Sequence, residues 1–280
     1  DSTGDWSSDV CSSDLQGSEA RKAAEKHILI NDLQAAYDVL LKAQAAGGER
    51  TVDIVLDNAG FELYADLLLA GYLLATGLAT SITLHPKSIP WFVSDVVPAD
   101  FAALLSALHD PRTFFDTPSE EEEREGTTPT PLSDSDVAAL QALFAHWSGL
   151  HAEGALRMRP NAFWTAGGSF WRLPTSAPRL YEDLKESTLV VFKGDLNYRK
   201  LVADAEWAPT TAFGEALGPL GRGSGVDLLA LRTCKADVVV GLPEGRDEEL
   251  RAQQGEGEGR RWAWSGKWAV VSFSGGKKGE

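Results

Sequence analysis

Short apolar runs, most ending in polar residues, alternate with amphipathic stretches along most of this chain. Residues 19–46 carry apolar side chains at Ile28, Ile30, Leu33, Ala36, Val39, Leu40 and Ala43, a spacing near 3.6 that predicts one amphipathic helix ending at Gly47-Gly48. The run Val52–Leu56 predicts a strand, followed by the polar tetrad Asp57-Asn58-Ala59-Gly60 and a helix from about Glu62 to Thr76. A second strand, Ser81–Leu84, and a helix from Val97 to Leu108 with Pro98 near its start repeat the unit. Further helices are expected at about Asp136–His151 and Ala177–Glu186, and further strands at Thr188–Phe192, Leu228–Leu231, Val238–Val240 and Trp268–Phe273. This alternation predicts an α/β fold with a mainly parallel central sheet, helices on both faces and a Rossmann-like three-layer form.

Two segments fall outside the pattern. Residues 1–15 lack both a basic start and an apolar core, so they are not a signal peptide, and WSSDVCSSDL reads as translated sequencing-adaptor DNA. The expected organisation sets 1–15 aside as foreign, with the natural N-terminus missing. It takes 16–48 as the remnant of a helical region, 49–274 as the catalytic α/β domain and 275–280 as a tail. The stretch 116–136 holds eight acids, one base and three prolines and is expected to be a disordered insert.

Composition narrows the function classes. The formal net charge is −15, of which residues 1–15 and 116–136 carry all but −4. No basic stripe appears, which argues against nucleic acid and anionic membrane as partners. The longest apolar stretch, Leu67–Thr80, is too short to span a bilayer and is interrupted by Gly71 and Gly77. Cys11 and Cys234 suggest no disulfide framework. The chain reads as soluble and cytoplasmic, with a nuclear pool as the alternative and no obligate protein partner.

Four polar clusters sit where open α/β sheets collect ligands, at or beyond strand C-termini: Asp57-Asn58, Ser94-Asp95, Lys193 to Arg199, and Arg232 to Lys235. The first two offer only oxygen donors, which suits a hard divalent cation. Lys193, Arg199 and Lys235 supply cations that fit a phosphoryl group. Each cluster also has a plainer reading. An Asp-Asn pair after a strand is more often a helix cap or turn than a ligand, Asp95 also reads as a cap near Pro98, and GDLNYRK as a helix start capped by Asp195. His85 reads as a satisfied turn residue. Trp164, Trp171 and Trp207 read as core, and Cys234, despite its basic neighbour Lys235, as a small spacer.

The segments VLDNAGFELYADLLLAGYLL, LHPKSIPWFVSDV, LYEDLKESTLVVFKGDLNYRKL and LRTCKADVVVGL resemble the metal-dependent damage-control phosphatase family, in the branch of acidic-residue methyltransferase-like proteins. The resemblance covers about residues 20–273. It implies hydrolysis of phosphate monoesters of small sugar phosphates such as fructose 1-phosphate and fructose 6-phosphate. The implied ion is Mn²⁺, with Co²⁺, Ni²⁺ and Mg²⁺ as alternatives. By motif, metal ligands fall on Asp57, Asn58 and Asp95. Substrate contacts fall on Asp57, Asn58, Asp195, Leu196, Asn197, Tyr198, Arg199 and Lys235. Catalysis falls on Asp57, Asn58, Asp95 and Lys235, with Arg232, Thr233, Lys193 and Glu62 in support. Whether Asp57 is a nucleophile or only a ligand stays open. The N-terminal helical region of family members is absent apart from residues 20–46, and the acidic insert is a departure.

Two other classes compete. An S-adenosylmethionine-dependent protein-glutamate methyltransferase would call for a Gly-rich turn after the first strand, where this chain has Asp57-Asn58-Ala59-Gly60. A non-catalytic sugar-phosphate binder would keep the binding clusters and release no phosphate.

Overall fold

A computed structural model describes residues 25–118, 120–254 and 259–277. The adaptor-like residues 1–15, and Cys11 with them, lie outside the described residues. From β1 (Ile28–Asn31) and α1 (Leu33–Ala46) the chain passes through β2 (Thr51–Val55), α2 (Phe61–Ala75), β3 (Ser81–His85) and α3 (Pro98–His109). Helices α4 (Pro111–Phe115), α5 (Glu120–Glu125) and α6 (Asp134–Ala152) lead to the edge strand β4 (Leu156–Met158). Then come α7 (Leu173–Ser176), α8 (Pro178–Glu186), β5 (Leu189–Lys193), α9 (Gly194–Leu201), α10 (Phe213–Ala216), β6 (Leu228–Thr233), α11 (Arg246–Ala252) and β7 (Ala269–Ser274).

The strands form one seven-stranded sheet in the order β1-β7-β6-β5-β2-β3-β4. All neighbours are parallel except β6 and β7, so β1 and β7 run against the other five. The sheet buries both faces, which is why its central strands are apolar in consecutive positions. Val52, Ile54, Leu189 and Val191 face the helices α1, α2, α3 and α6, where Leu40, Leu67, Phe101 and Trp147 complete one core. Val55, Val190 and Phe192 face α8 to α11 and the aromatic block of Trp164 and Phe170, which form the other. From β2 the chain builds outward through β3 to β4, returns to the far side of β2 with β5, and builds the other way. The seam between β5 and β2 is therefore the topological switch point, where the loops leaving neighbouring strands diverge and open a crevice.

Several expectations change. The helix expected over 19–46 begins only at Leu33. Ile28 and Ile30 lie in a strand because parallel pairing with β7 outweighs helical spacing. Asp32 ends that strand, its carboxylate accepting from the Phe273 N–H at 3.1 Å. Residues 28–46 thus supply a strand of the same sheet and a helix packed on it. Val238–Val240 is a buried loop rather than a strand, its backbone bonded by side chains: Arg232 donates to the Val238 carbonyl, and the Val240 N–H donates to the Tyr198 hydroxyl at 3.2 Å. Within the acidic insert Glu120–Glu125 forms a helix, with Arg124 reaching back to Glu120 at 3.1 Å. The insert ends in a capping box, where the Ser133 hydroxyl accepts from the Asp136 N–H and the Asp136 carboxylate from the Ser133 N–H. Gly276 and Lys277, expected in a tail, donate their N–H groups to Asp227 at 3.0 and 3.1 Å. Among the described residues no helix is long and apolar enough to cross a membrane.

Candidate active site

The crevice at the switch point is built from four chain segments. Asp57 and Asn58 follow β2 directly, but neither caps α2, whose N-cap is Gly60 with no side-chain bond. Instead the backbone on either side of Asn58 pairs with the loop before α3 in an isolated antiparallel bridge to Asp95. The Ala59 N–H donates to the Ser94 carbonyl at 2.8 Å and the Val96 N–H to the Asp57 carbonyl at 2.9 Å. That bridge sets Asp57, Asn58 and Asp95 side by side. Asp95 does not cap α3 either; it accepts from the Phe92 N–H within its own loop.

Around this centre the side chains orient one another. The Asn58 amide donates to Asp57 at 3.0 Å and to Glu62 at 2.8 Å, while Ser94 donates to the Asn58 carbonyl oxygen at 2.8 Å. Two carboxylates thus fix its nitrogen and Ser94 holds its oxygen, which keeps a second lone pair for a further partner. Burial pushes the Asp57 carboxyl up to about 7, with Glu62 and Asp95 adding to the rise and Lys87 and Lys193 opposing it. A carboxylate in such surroundings gains from a cation beside it.

The third segment is the start of α9. Gly194 has φ +85°, and a Cβ there would lie 1.9 Å from Asp57 Oδ2. Only glycine leaves room for the Asp57 carboxylate against the first turn of that helix. The donor set of two carboxylates and one amide oxygen, with this cradle around Asp57, fits a hard divalent ion of the Mg²⁺ or Mn²⁺ type. Among the described residues no group of three His, Cys, Asp or Glu side chains is placed to hold a metal, so the set depends on the amide of Asn58.

The cations divide differently from the sequence expectation. Lys193 is bonded to Asp66 at 2.5 Å and to Glu62 at 3.1 Å. Burial opposes its charge, but the two carboxylates outweigh it and hold the ammonium protonated. Arg199 forms a fork with Asp204 at 2.8 and 2.6 Å. Arg232, its side chain fully buried, donates to Asp195 at 2.7 Å and to the carbonyls of Val238 and Ala236, and its guanidinium stacks 4.3 Å over the Tyr198 ring. Tyr198 and Asn197 are fully buried. Asn197 donates to the carbonyls of Lys193 and Leu56, at 2.7 and 3.1 Å. These groups build the wall of the crevice. Asp195 accepts from the Lys235 N–H at 3.1 Å, and the Lys235 side chain is exposed with no partner among the described residues. Leu196 is half-buried on the same turn, and Thr233, also half-buried, ends β6.

Lys87 escaped the sequence reading. It is fully buried and donates to the Leu56 carbonyl and to Asn197 Oδ1, each at 3.0 Å. Burial lowers its pKa, while Asp57, Asp95 and Glu62 pull it back up. Among the described residues its third N–H has no acceptor. The available signal was its place in His85-Pro86-Lys87, immediately after β3 and on the segment that carries Asp95. His85 bonds Asp53 at 2.6 Å through Nε2 and takes no part in the centre. Burial pushes the Cys234 thiol up to about 11, the reverse of activation.

Fold and site together define an α/β protein whose sheet switch point carries a buried oxygen-donor centre backed by a lysine. The model of the damage-control phosphatase ARMT1-like domain matches residues 3–250, and the chain belongs to that family. It is 37% identical over 255 residues to the damage-control phosphatase ARMT1 of Danio rerio, covering 89% of this chain and 50% of that protein. The Mus musculus protein of the same name is 35% identical over 250 residues, again 89% and 50%. The chain therefore spans about half the length of these relatives. A solved DUF89 family protein from Pyrococcus horikoshii aligns over 92% of this chain and 56% of its own, with a TM-score of 0.43 and 12% identity.

Proposed function

We propose that this chain carries the active site of a divalent-metal-dependent phosphatase that hydrolyses phosphate monoesters of small sugars, of the fructose 1-phosphate or fructose 6-phosphate type. The observation that carries the reading is the convergence of Asp57, Asn58 and Asp95 on one side of the crevice with the buried ammonium of Lys87 behind them. Relatives named damage-control phosphatase support it.

Asp57, Asp95 and the Asn58 amide oxygen would hold the ion, Mn²⁺ ahead of Co²⁺, Ni²⁺ and Mg²⁺. A bound dication supplies Lewis-acid polarisation of a phosphoryl oxygen and offsets its charge. Glu62 and Ser94 hold the Asn58 amide from both ends and so fix it beside Asp57. Lys87 offers its third N–H to the phosphoryl group from a dry wall, where a fixed donor is worth most. Lys235, exposed at the mouth, meets the incoming phosphate and offsets its equatorial oxygens. Asp195 is oriented by Arg232 and the Lys235 N–H and accepts from a sugar hydroxyl. Arg199, Tyr198 and Asn197 act through the wall rather than on the substrate. The substrate is a small molecule and the site of action the cytoplasm.

The test is phosphate release from a panel of sugar phosphates with Mn²⁺, Co²⁺, Ni²⁺, Mg²⁺ or EDTA, for the wild type, Asp57→Ala and Lys235→Ala. Metal-dependent release that falls in both variants is expected. Release that resists EDTA, or that survives both substitutions, overturns the reading. Metal-dependent binding without release would make the protein a sugar-phosphate binder instead.

A further inference from the structure

Beside the site lies a cavity of about 210 Å³, lined among others by Trp91, Ser169, Leu196, Lys200 and Asp204. It is bounded by the two segments that supply the site: the loop from Lys87 to Asp95, which carries Trp91, and helix α9, which carries Leu196 and Lys200. That volume holds several waters or a short carbon chain.

Its walls are held firmly. The Lys200 ammonium donates to the carbonyls of Trp164 and Ala166 at 3.2 and 2.7 Å. It lies 4.5 Å from the centroid of Trp91 and 4.8 Å from that of Phe170. These contacts hold the Trp91 ring on a fixed support while leaving it 38% exposed. Also in the lining, Ala203 and Asp204 are consecutive non-glycine residues at φ +63° and +50°. This conformation costs free energy and persists only where its surroundings enforce it. The Arg199–Asp204 fork and the Asp204 N–H to the Arg199 carbonyl at 2.7 Å do so here.

The chemistry of the lining selects its ligand. Trp91 and Leu196 give apolar surface; Ser169 and Asp204 give hydrogen-bonding groups. Asp204 is already paired with Arg199, and Lys200 already has two carbonyl acceptors and two ring faces, so the lining offers no unpaired charge to a second anion. A neutral, hydroxylated carbon chain fits this mixture. We propose that the cavity is the subsite for the part of the substrate remote from its phosphate, and that Trp91 is a specificity-determining residue which favours sugar phosphates over short-chain phosphate esters. This rests on the phosphatase reading of the neighbouring centre and adds the recognition of the substrate's carbon skeleton. Binding energy from that remote part contributes to the reaction at phosphorus.

The test compares the wild type, Trp91→Ala and Trp91→Phe with Mn²⁺ on fructose 1-phosphate, fructose 6-phosphate and ethyl phosphate. Calorimetric binding of the two sugar phosphates is measured alongside. Trp91→Ala is expected to lose about tenfold in kcat/KM on its better sugar substrate, at least several-fold more than it loses on ethyl phosphate, with Trp91→Phe recovering most of the difference. Equal loss on all esters, or no loss on any, overturns the subsite while leaving the phosphatase reading intact. If no ester is hydrolysed by the wild type yet a sugar phosphate binds it about tenfold more tightly than Trp91→Ala, the phosphatase reading falls and the subsite stands. If none is hydrolysed and binding does not depend on Trp91, both fall.

Discussion

Two sets of charged groups meet around the first turn of α9. Asp57, Asp95 and Lys87 are each left with bonding capacity among the described residues: Asp57 accepts from Asn58, Asp95 from Phe92, and Lys87 uses two of its three donors. A few residues away Arg232, Lys193, Arg199 and Asn197 are engaged by partners on several sides. Both sets are polar and largely withdrawn from water. What separates them is completeness. A buried charge with all its bonds satisfied stabilises a geometry, whereas one left short has capacity for a ligand.

The two sets should therefore respond oppositely to substitution. The largest effect on turnover is expected at the open set. Asp57→Asn or Asp95→Asn should lower kcat/KM with Mn²⁺ by on the order of 10³-fold, as for groups that act directly on the reacting centre. In the metal-free protein the melting temperature of Asp57→Asn should stay level or rise, because the buried carboxylate beside Glu62 and Asp95 is removed. Calorimetry with and without metal checks both halves. Arg232→Met should do the reverse in stability, costing about 3–5 kcal/mol in chemical denaturation because Asp195 loses its buried partner.

Intermediate effects fall where the sets touch. Lys87→Met should lower kcat by about 10²-fold, the scale of losing one oriented donor, with a smaller change in KM. Gly194→Ala should also cost about 10²-fold, because the new Cβ forces the Asp57 carboxylate out of position by around an ångström. Lost metal binding with a retained circular dichroism spectrum would show that the cradle, not the fold, is damaged. The smallest effect is expected at Cys234. With its thiol raised to about 11, it should resist iodoacetamide at pH 8 in the folded protein and react once denatured, as mass spectrometry would read.

Sequence made the carboxylates of the open set visible because they stand in local strings: Asp57-Asn58 directly after β2, and Ser94-Asp95 before the proline that starts α3. It hid Lys87 and the engagement of Lys193 because their partners are distant. Lys193 meets Asp66 across 127 residues, and Lys87 meets Asn197 across 110. No local pattern records such pairs, so Lys193 read as a free cation and Lys87 went unnoticed. The sheet shows the same limit. Its parallel core was legible from apolar runs bounded by polar turns. Strand β1 was not, since Ile28 and Ile30 fit helical spacing until pairing with β7, near the far end of the chain, is known.

Metal binding tests the central claim most directly. Titration with Mn²⁺, followed by electron paramagnetic resonance, should show one tightly held ion in the wild type. Asp57→Asn and Asp95→Asn should abolish it, and Arg199→Ala should leave it unchanged. Equal Mn²⁺ binding by the wild type and both carboxylate variants would contradict the account.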